Sequence, residues 1–171
     1  AIGGDRMFVG VNQKYNASQT YWPSEGFHIY DLNGNLVSNG TAIRHGNATG
    51  EWCSAIAANE NYVVIGDRGF GSGTFGGYYI PGVYVYNHSG THIANWRGTD
   101  TSSSGTDGFG HDVDINEAND IVVGAPYKNS YEGAVYYFPN FNNTSQVKIT
   151  PPTPQNCTSG GYPNHLSLIH I

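Results

Sequence analysis

The sequence predicts an all-β protein, and three observations carry that prediction. The first is composition. Of 171 residues, 24 are glycine and 13 tyrosine, and only 12% are charged. Such a chain is poor in helix formers and rich in strand and turn formers. The second is residues 108–138, GFGHDVDINEANDIVVGAPYKNSYEGAVYYF. They read as three strands in about thirty residues and leave no room for a helix. The third is that this pattern recurs along the chain.

Taken in order, residues 6–11 (RMFVGV) form a short apolar run that stops near Gly10. Gly26-Phe27-His28-Ile29-Tyr30 is a second run, and DLNGNLV (31–37) continues it through the hairpin signal Asn33-Gly34. The next copy opens with Trp52-Cys53-Ser54-Ala55-Ile56-Ala57, then Tyr62-Val63-Val64-Ile65-Gly66-Asp67, then Gly82-Val83-Tyr84-Val85-Tyr86. NHSGTHIANW (87–96) closes it, with Ser89-Gly90 at its turn. In the third copy Val113 and Ile115 alternate with Asp112 and Asp114, which is strand periodicity. Ile121-Val122-Val123 follows, stopped by Gly124-Ala125-Pro126, then Gly133-Ala134-Val135-Tyr136-Tyr137-Phe138, then NFNNTSQVKI (140–149). The glycines ending the apolar runs are 56 and 58 residues apart, and those opening the next runs are 56 and 51 apart. The first copy lacks its opening strand, because Ala1 already lies inside the unit. A period near 56 with four short antiparallel strands is a propeller-blade pattern.

Phe109-Gly110, then Gly124-Ala125-Pro126, then Gly133-Ala134-Val135-Tyr136 resembles the FG-GAP repeat of integrin alpha-subunit propellers and many extracellular proteins. The match is good in the third copy and partial in the second, where Trp52-Cys53 and Gly66-Asp67-Arg68 replace the signature. It is weakest in the first. The resemblance covers residues 1–149, as blades at about 1–45, 46–100 and 101–149. It implies a fold and no particular activity. Calcium-binding members carry a D-x-D-x-D-G-x-x-D loop between the two signatures. Residues 114–120 (DINEAND) lack its glycine and supply too few alternate oxygens for about six to eight ligands. No cofactor is expected, and calcium, which the resemblance implies, is disfavoured by this stretch.

The net charge of −6 and the lack of a Lys/Arg cluster exclude a nucleic-acid footprint. No run approaches the roughly 18 apolar residues of a membrane-spanning helix. Seven Asn-X-Ser/Thr acceptor sites occur, at Asn16, Asn39, Asn47, Asn87, Asn142, Asn143 and Asn156. Chance placement would give about three, so the excess points to a secreted, N-glycosylated protein. Cys53 and Cys157 fit a single disulfide in an oxidising compartment, the alternative being two unrelated thiols. No leader precedes Ala1, which fits a mature chain or a fragment.

Residues 150–160 read as a Pro/Thr-rich linker. In the tail, residues 161–171, GYPNHLSL lies over the GFGHDVDI of the third copy. It is a candidate for the strand the first copy lacks, either within one chain or added to a neighbouring molecule. Its last six residues, LSLIHI, are also what a transposase-type sequencing adapter would encode, so a cloning scar is the competing reading. Three blades are few for a closed ring, so self-association competes with membership of a longer propeller.

Catalytic signals are weak. Asp112 and Asp114 share one strand face and His111 the other, so they form no His–carboxylate pair, and a solvated polar face is the simpler reading. Tyr21, Trp22, Tyr78, Tyr79, Tyr127 and Tyr131 fall in corresponding loops. They are candidate binding-face aromatics, or rings packed blade against blade. The expected function is a non-enzymatic structural or adhesive glycoprotein that associates with itself head to tail, forming filaments where the contacts do not close. The alternative is part of a larger propeller enzyme or a carbohydrate-binding accessory domain.

Overall fold

A computed structural model describes residues 1–11, 26–38, 52–67, 82–100, 107–141 and 145–150. These residues build three antiparallel sheets. The first contains β1 (Ile2–Gly3), β2 (Arg6–Val11) and β3 (Gly26–Asp31). The second is a meander of β4 (Trp52–Ala58), β5 (Tyr62–Asp67), β6 (Gly82–Asn87) and β7 (His92–Trp96). The third joins β8 (Asp112–Ile115), β9 (Ile121–Ala125), β10 (Ala134–Phe138) and β11 (Val147–Ile149) in the same sequential order.

Burial explains which runs became which strands. β5 and β9 are continuous apolar runs rather than alternating ones, as expected of strands covered on both faces. Val63, Val64 and Ile65 are fully buried, as are Ile121 and Val123. The last strands differ: β7 alternates, and all of β11 is exposed. Lys148 in the middle of β11 puts a charge on an otherwise apolar edge, which discourages unwanted pairing.

The second sheet lies between the other two. β1, β2 and β3 pack on β4, while β8 packs on β4 and β5. Two apolar clusters fill the seams. Phe8, Phe27 and Ile29 meet Cys53, Val63, Ile65, Tyr84 and Tyr86. On its other side the second sheet contributes Ala57, Val64, Val83 and Val85, which meet Phe109, Val123, Tyr136 and Phe138 of the third.

Several details depart from the sequence-based expectations. The first sheet does hold the end of an opening strand, because β1 pairs Ile2 with Met7 and Gly3 with Arg6. Among the described residues its closing strand is a single bridge, Tyr30 to Leu36. A one-turn helix, α1 (Lys128–Tyr131), sits in the stretch read as having no room for one. The glycine-based alignment also slips by one residue. Val83 pairs with Gly66 and Val135 with Gly124, so Ala134, not Gly133, is the counterpart of Gly82. Gly133 instead takes a left-handed φ of 81° as the chain leaves α1 for β10. Its N–H donates to the Lys128 carbonyl.

Candidate functional site

The most specific chemistry among the described residues lies where the sheets meet, and it repeats with the sequence period. At the turn between β4 and β5, Asn59 Oδ1 accepts from the N–H groups of Asn61 (3.0 Å) and Tyr62 (2.9 Å). Its Nδ2 crosses to the third sheet, donating to the Asn116 carbonyl (2.8 Å) and to Asn119 Oδ1 (2.9 Å). Asn116 holds the equivalent turn, accepting the Asp120 N–H at 2.9 Å. Next to it, Glu60 N–H donates to Glu117 Oε2 at 3.3 Å. The Ser54 hydroxyl is shared between the carbonyls of Gly110 (2.8 Å) and Gly66 (3.0 Å). Contacts between positions about one repeat apart hold neighbouring sheets in register.

Close approach demands small residues at these seams. A Cβ on Gly66 would sit 2.2 Å from the Gly110 carbonyl oxygen, and one on Gly10 would sit 2.6 Å from Cys53 Sγ. Cys53 and Gly110 are themselves equivalent. Both have left-handed φ, 63° and 87°, and Cys53 falls where the β4–β5 register shifts. The Phe-Gly signature of the third copy therefore has a physical basis. Its glycine supplies a left-handed backbone beside a neighbouring carbonyl, and the second copy carries the same turn on a cysteine at some strain.

A polar network, which sequence reasoning missed, ties the chain entering the third sheet to α1. Lys128 Nζ pairs with Asp107 Oδ2 at 3.0 Å, and both side chains are nearly buried. It also donates to the Asp100 carbonyl. Tyr136, whose ring is buried between the sheets, donates its hydroxyl to Asp100 Oδ1 at 2.6 Å. Lys148 of β11 reaches Asp100 Oδ2 at 2.7 Å. Burial works to raise the Asp100 carboxyl, but the bonds from Lys148 and Tyr136 and the Lys128 charge outweigh it and hold it below its ordinary value. Burial, with the nearby Asp100 carboxylate, pushes the Tyr136 phenol well upward. No local motif announces this cluster, because its members come from positions 100, 107, 128, 136 and 148.

Three of the sequence-predicted site residues, Asn87, Cys53 and Tyr127, are described with their side chains. Asn87 is half-buried at the end of β6. Its Oδ1 accepts from Ser89 N–H (3.1 Å), Ser89 Oγ–H (2.7 Å) and Thr91 N–H (2.8 Å). The Asp31 carboxylate makes the matching turn one repeat earlier, accepting from the N–H groups of Asn33 (2.9 Å) and Asn35 (2.8 Å). Asn16, Asn39, Asn47, Asn142, Asn143 and Asn156 lie outside the described residues, as do the linker beyond residue 150 and the tail. Cys53 is buried in the first seam, where desolvation pushes its thiol up to about 12. Cys157, its proposed disulfide partner, is outside the described residues. Tyr127 lies over the Gly108 backbone, edge-on to His111 with ring centroids 6.0 Å apart. Tyr21, Trp22, Tyr78, Tyr79 and the side chain of Tyr131 fall outside the description.

Asp114 is buried rather than solvated, which corrects the reading of that strand face as simply polar. Its Oδ1 accepts the neighbouring Ile115 N–H at 3.0 Å, and Asp112 Oδ1 does the same for Val113 at 3.1 Å. In the stretch compared with a calcium loop, the Asp120 carboxylate is engaged by Asn140 N–H (3.0 Å) and Asn116 Nδ2 (3.1 Å). Among the described residues no three His, Cys, Asp or Glu side chains gather as metal ligands, and no helix is long and apolar enough to cross a membrane. No protein-family model matches the chain, and no match was found among curated proteins.

Proposed function

We propose that this chain is a secreted, N-glycosylated, non-enzymatic protein with a structural or adhesive role. In this reading its three FG-GAP-like units form a propeller-like array that associates head to tail by strand addition. One observation carries the reading. β5 and β9 each have a paired strand on both sides, whereas β2 has only a two-residue partner on one side. That partner pairs with Arg6 and Met7, and Ala1 exchanges hydrogen bonds with Phe8. Val9, Gly10 and Val11 have no described strand beside them on that edge. Among the described residues that stretch of β2, beside paired β3, is a template for an added strand.

The tail, with its likeness to the opening strand of the third unit, is the proposed donor. The excess of Asn-X-Ser/Thr sites supports an extracellular setting. The test is to delete residues 161–171 and compare the sedimentation of the two proteins over a concentration series. The reading expects the full chain to assemble and the shortened chain to stay at the mass of a single protomer. Equal behaviour of the two would overturn strand addition by the tail.

A further inference from the structure

The turn after β3 carries a chemistry that its counterpart after β6 lacks. Both turns are built around one side-chain oxygen. Asp31 Oδ1 accepts from the N–H groups of Asn33 (2.9 Å) and Asn35 (2.8 Å), and Asn87 Oδ1 from those of Ser89 (3.1 Å) and Thr91 (2.8 Å). Each turn then puts a glycine in the left-handed region, Gly34 at φ 85° and Gly90 at φ 83°. The residue before that glycine differs. It is Ser89 in the second sheet and Asn33 in the first.

An asparagine side chain reaches the backbone nitrogen of the next residue, and glycine has no Cβ to shield that nitrogen. Asn33 and Gly34 are both exposed, and apart from its chain neighbours nothing lies within 4 Å of where a Cβ on Gly34 would stand. Gly34 N–H donates to the Asp31 carbonyl at 3.0 Å, an exposed bond that water readily replaces. Among the described residues no group bonds the Asn33 carboxamide. Other described asparagines are held. Asn59, Asn87, Asn116 and Asn119 use their carboxamides at turns and seams, Asn35 donates its own to Asp31, and each precedes a larger residue.

We propose that Asn33 is a site of spontaneous deamidation through the Gly34 nitrogen, and that its conversion loosens the closing segment of the first sheet. The Gly34 nitrogen gives its proton to solvent base and bonds to Asn33 Cγ. The Cγ–Nδ2 bond breaks and ammonia leaves, which closes a five-membered succinimide. Water opens that ring at either carbonyl, giving aspartate at position 33 in the normal linkage or in the isoaspartyl linkage through the side chain. Either product adds a carboxylate beside Asp31. The bonds from Asn35 and then Asn33 hold the Asp31 carboxyl below its ordinary value, so like charges meet in one turn. The isoaspartyl form also lengthens the backbone and draws Gly34 N–H away from the Asp31 carbonyl. This turn feeds the Tyr30–Leu36 bridge and the Val37 N–H bond to the Ile29 carbonyl (2.8 Å).

Peptide mapping of the folded full chain, incubated in mildly alkaline buffer, is the test. Digestion after Leu36 reads Asn33 apart from Asn39-Gly40, the other Asn-Gly pair, which lies outside the described residues. The fragment holding Asn33 should shift by the mass that separates an acid from an amide, and an isoaspartyl methyltransferase should label it. Asn33→Ser, which copies the Ser89-Gly90 turn, should lose both signals. Should that variant fail to fold, Asn33→Gln, whose larger ring closes more slowly, replaces it. Conversion at Asn33 in the urea-unfolded chain but not in the folded one would show that the turn protects the pair, and would overturn the site. Folded-chain conversion confined to other asparagines would do the same. In the converted protein the amides of residues 35–38 should exchange with solvent faster than before. Unchanged exchange there overturns the loosening.

Discussion

Gly66 decides how closely the second and third sheets approach. Its position leaves no room for even a methyl group, because the Gly110 carbonyl would lie 2.2 Å from the added carbon. That oxygen belongs to backbone and accepts from Ser54, so it cannot simply move aside. Gly66→Ala should therefore cost about 2 kcal/mol by forcing the sheets apart, lowering the melting midpoint by about 4–8 °C. Calorimetry checks this, and a midpoint within a degree of the parent would show that the seam yields. The repeated glycines were visible in the sequence as stops after apolar runs. That they face a neighbouring sheet was not, because a glycine that ends a strand and one that admits a carbonyl look the same in one dimension.

At the scale of elements, the strands were legible and the connections were not. β5 and β9 announced themselves because runs such as Val63-Val64-Ile65 suit a strand covered on both faces. The helix α1 did not, since four residues carry no helical period. Its place depends on Lys128 meeting Asp107 and the Asp100 backbone, partners 21 and 28 residues away. Removing one side of this nearly buried pair strands the other. Lys128→Met should destabilise the protein by about 3–5 kcal/mol in urea unfolding, and adding Asp107→Leu should recover most of that loss. A loss no greater with one partner removed than with both would contradict the pairing.

The network also sets an acid limit. The folded-state value of Asp100 lies below its ordinary 3.8, so its contribution is present above that pH. It is lost as pH falls through the lower folded value. Unfolding followed from pH 6 downward should show stability falling below about pH 4, less steeply in Asp100→Asn.

The described residues form an array of three similar sheets, each joined to the next through equivalent residues. Asn59 bonds to Asn116 and Ser54 to Gly110 at separations of 57 and 56 residues, matching the sequence period. The repeat was readable because each copy must present the same two faces, which constrains the same positions each time. Its consequence was not readable. Asp112 and Asp114 looked like a polar surface by alternation, yet they stand where Ala55 and Ala57 line a seam. Under the proposed head-to-tail strand addition, the array should extend by adding copies rather than stop at a closed pair.

The concentration dependence of mass tests that claim most directly. Sedimentation equilibrium on the full chain, from low to high concentration, should show the average mass rising past twice that of a protomer, whose polypeptide is 18.4 kDa, without a plateau. A single protomer mass at every concentration, or a plateau at the dimer, would contradict it.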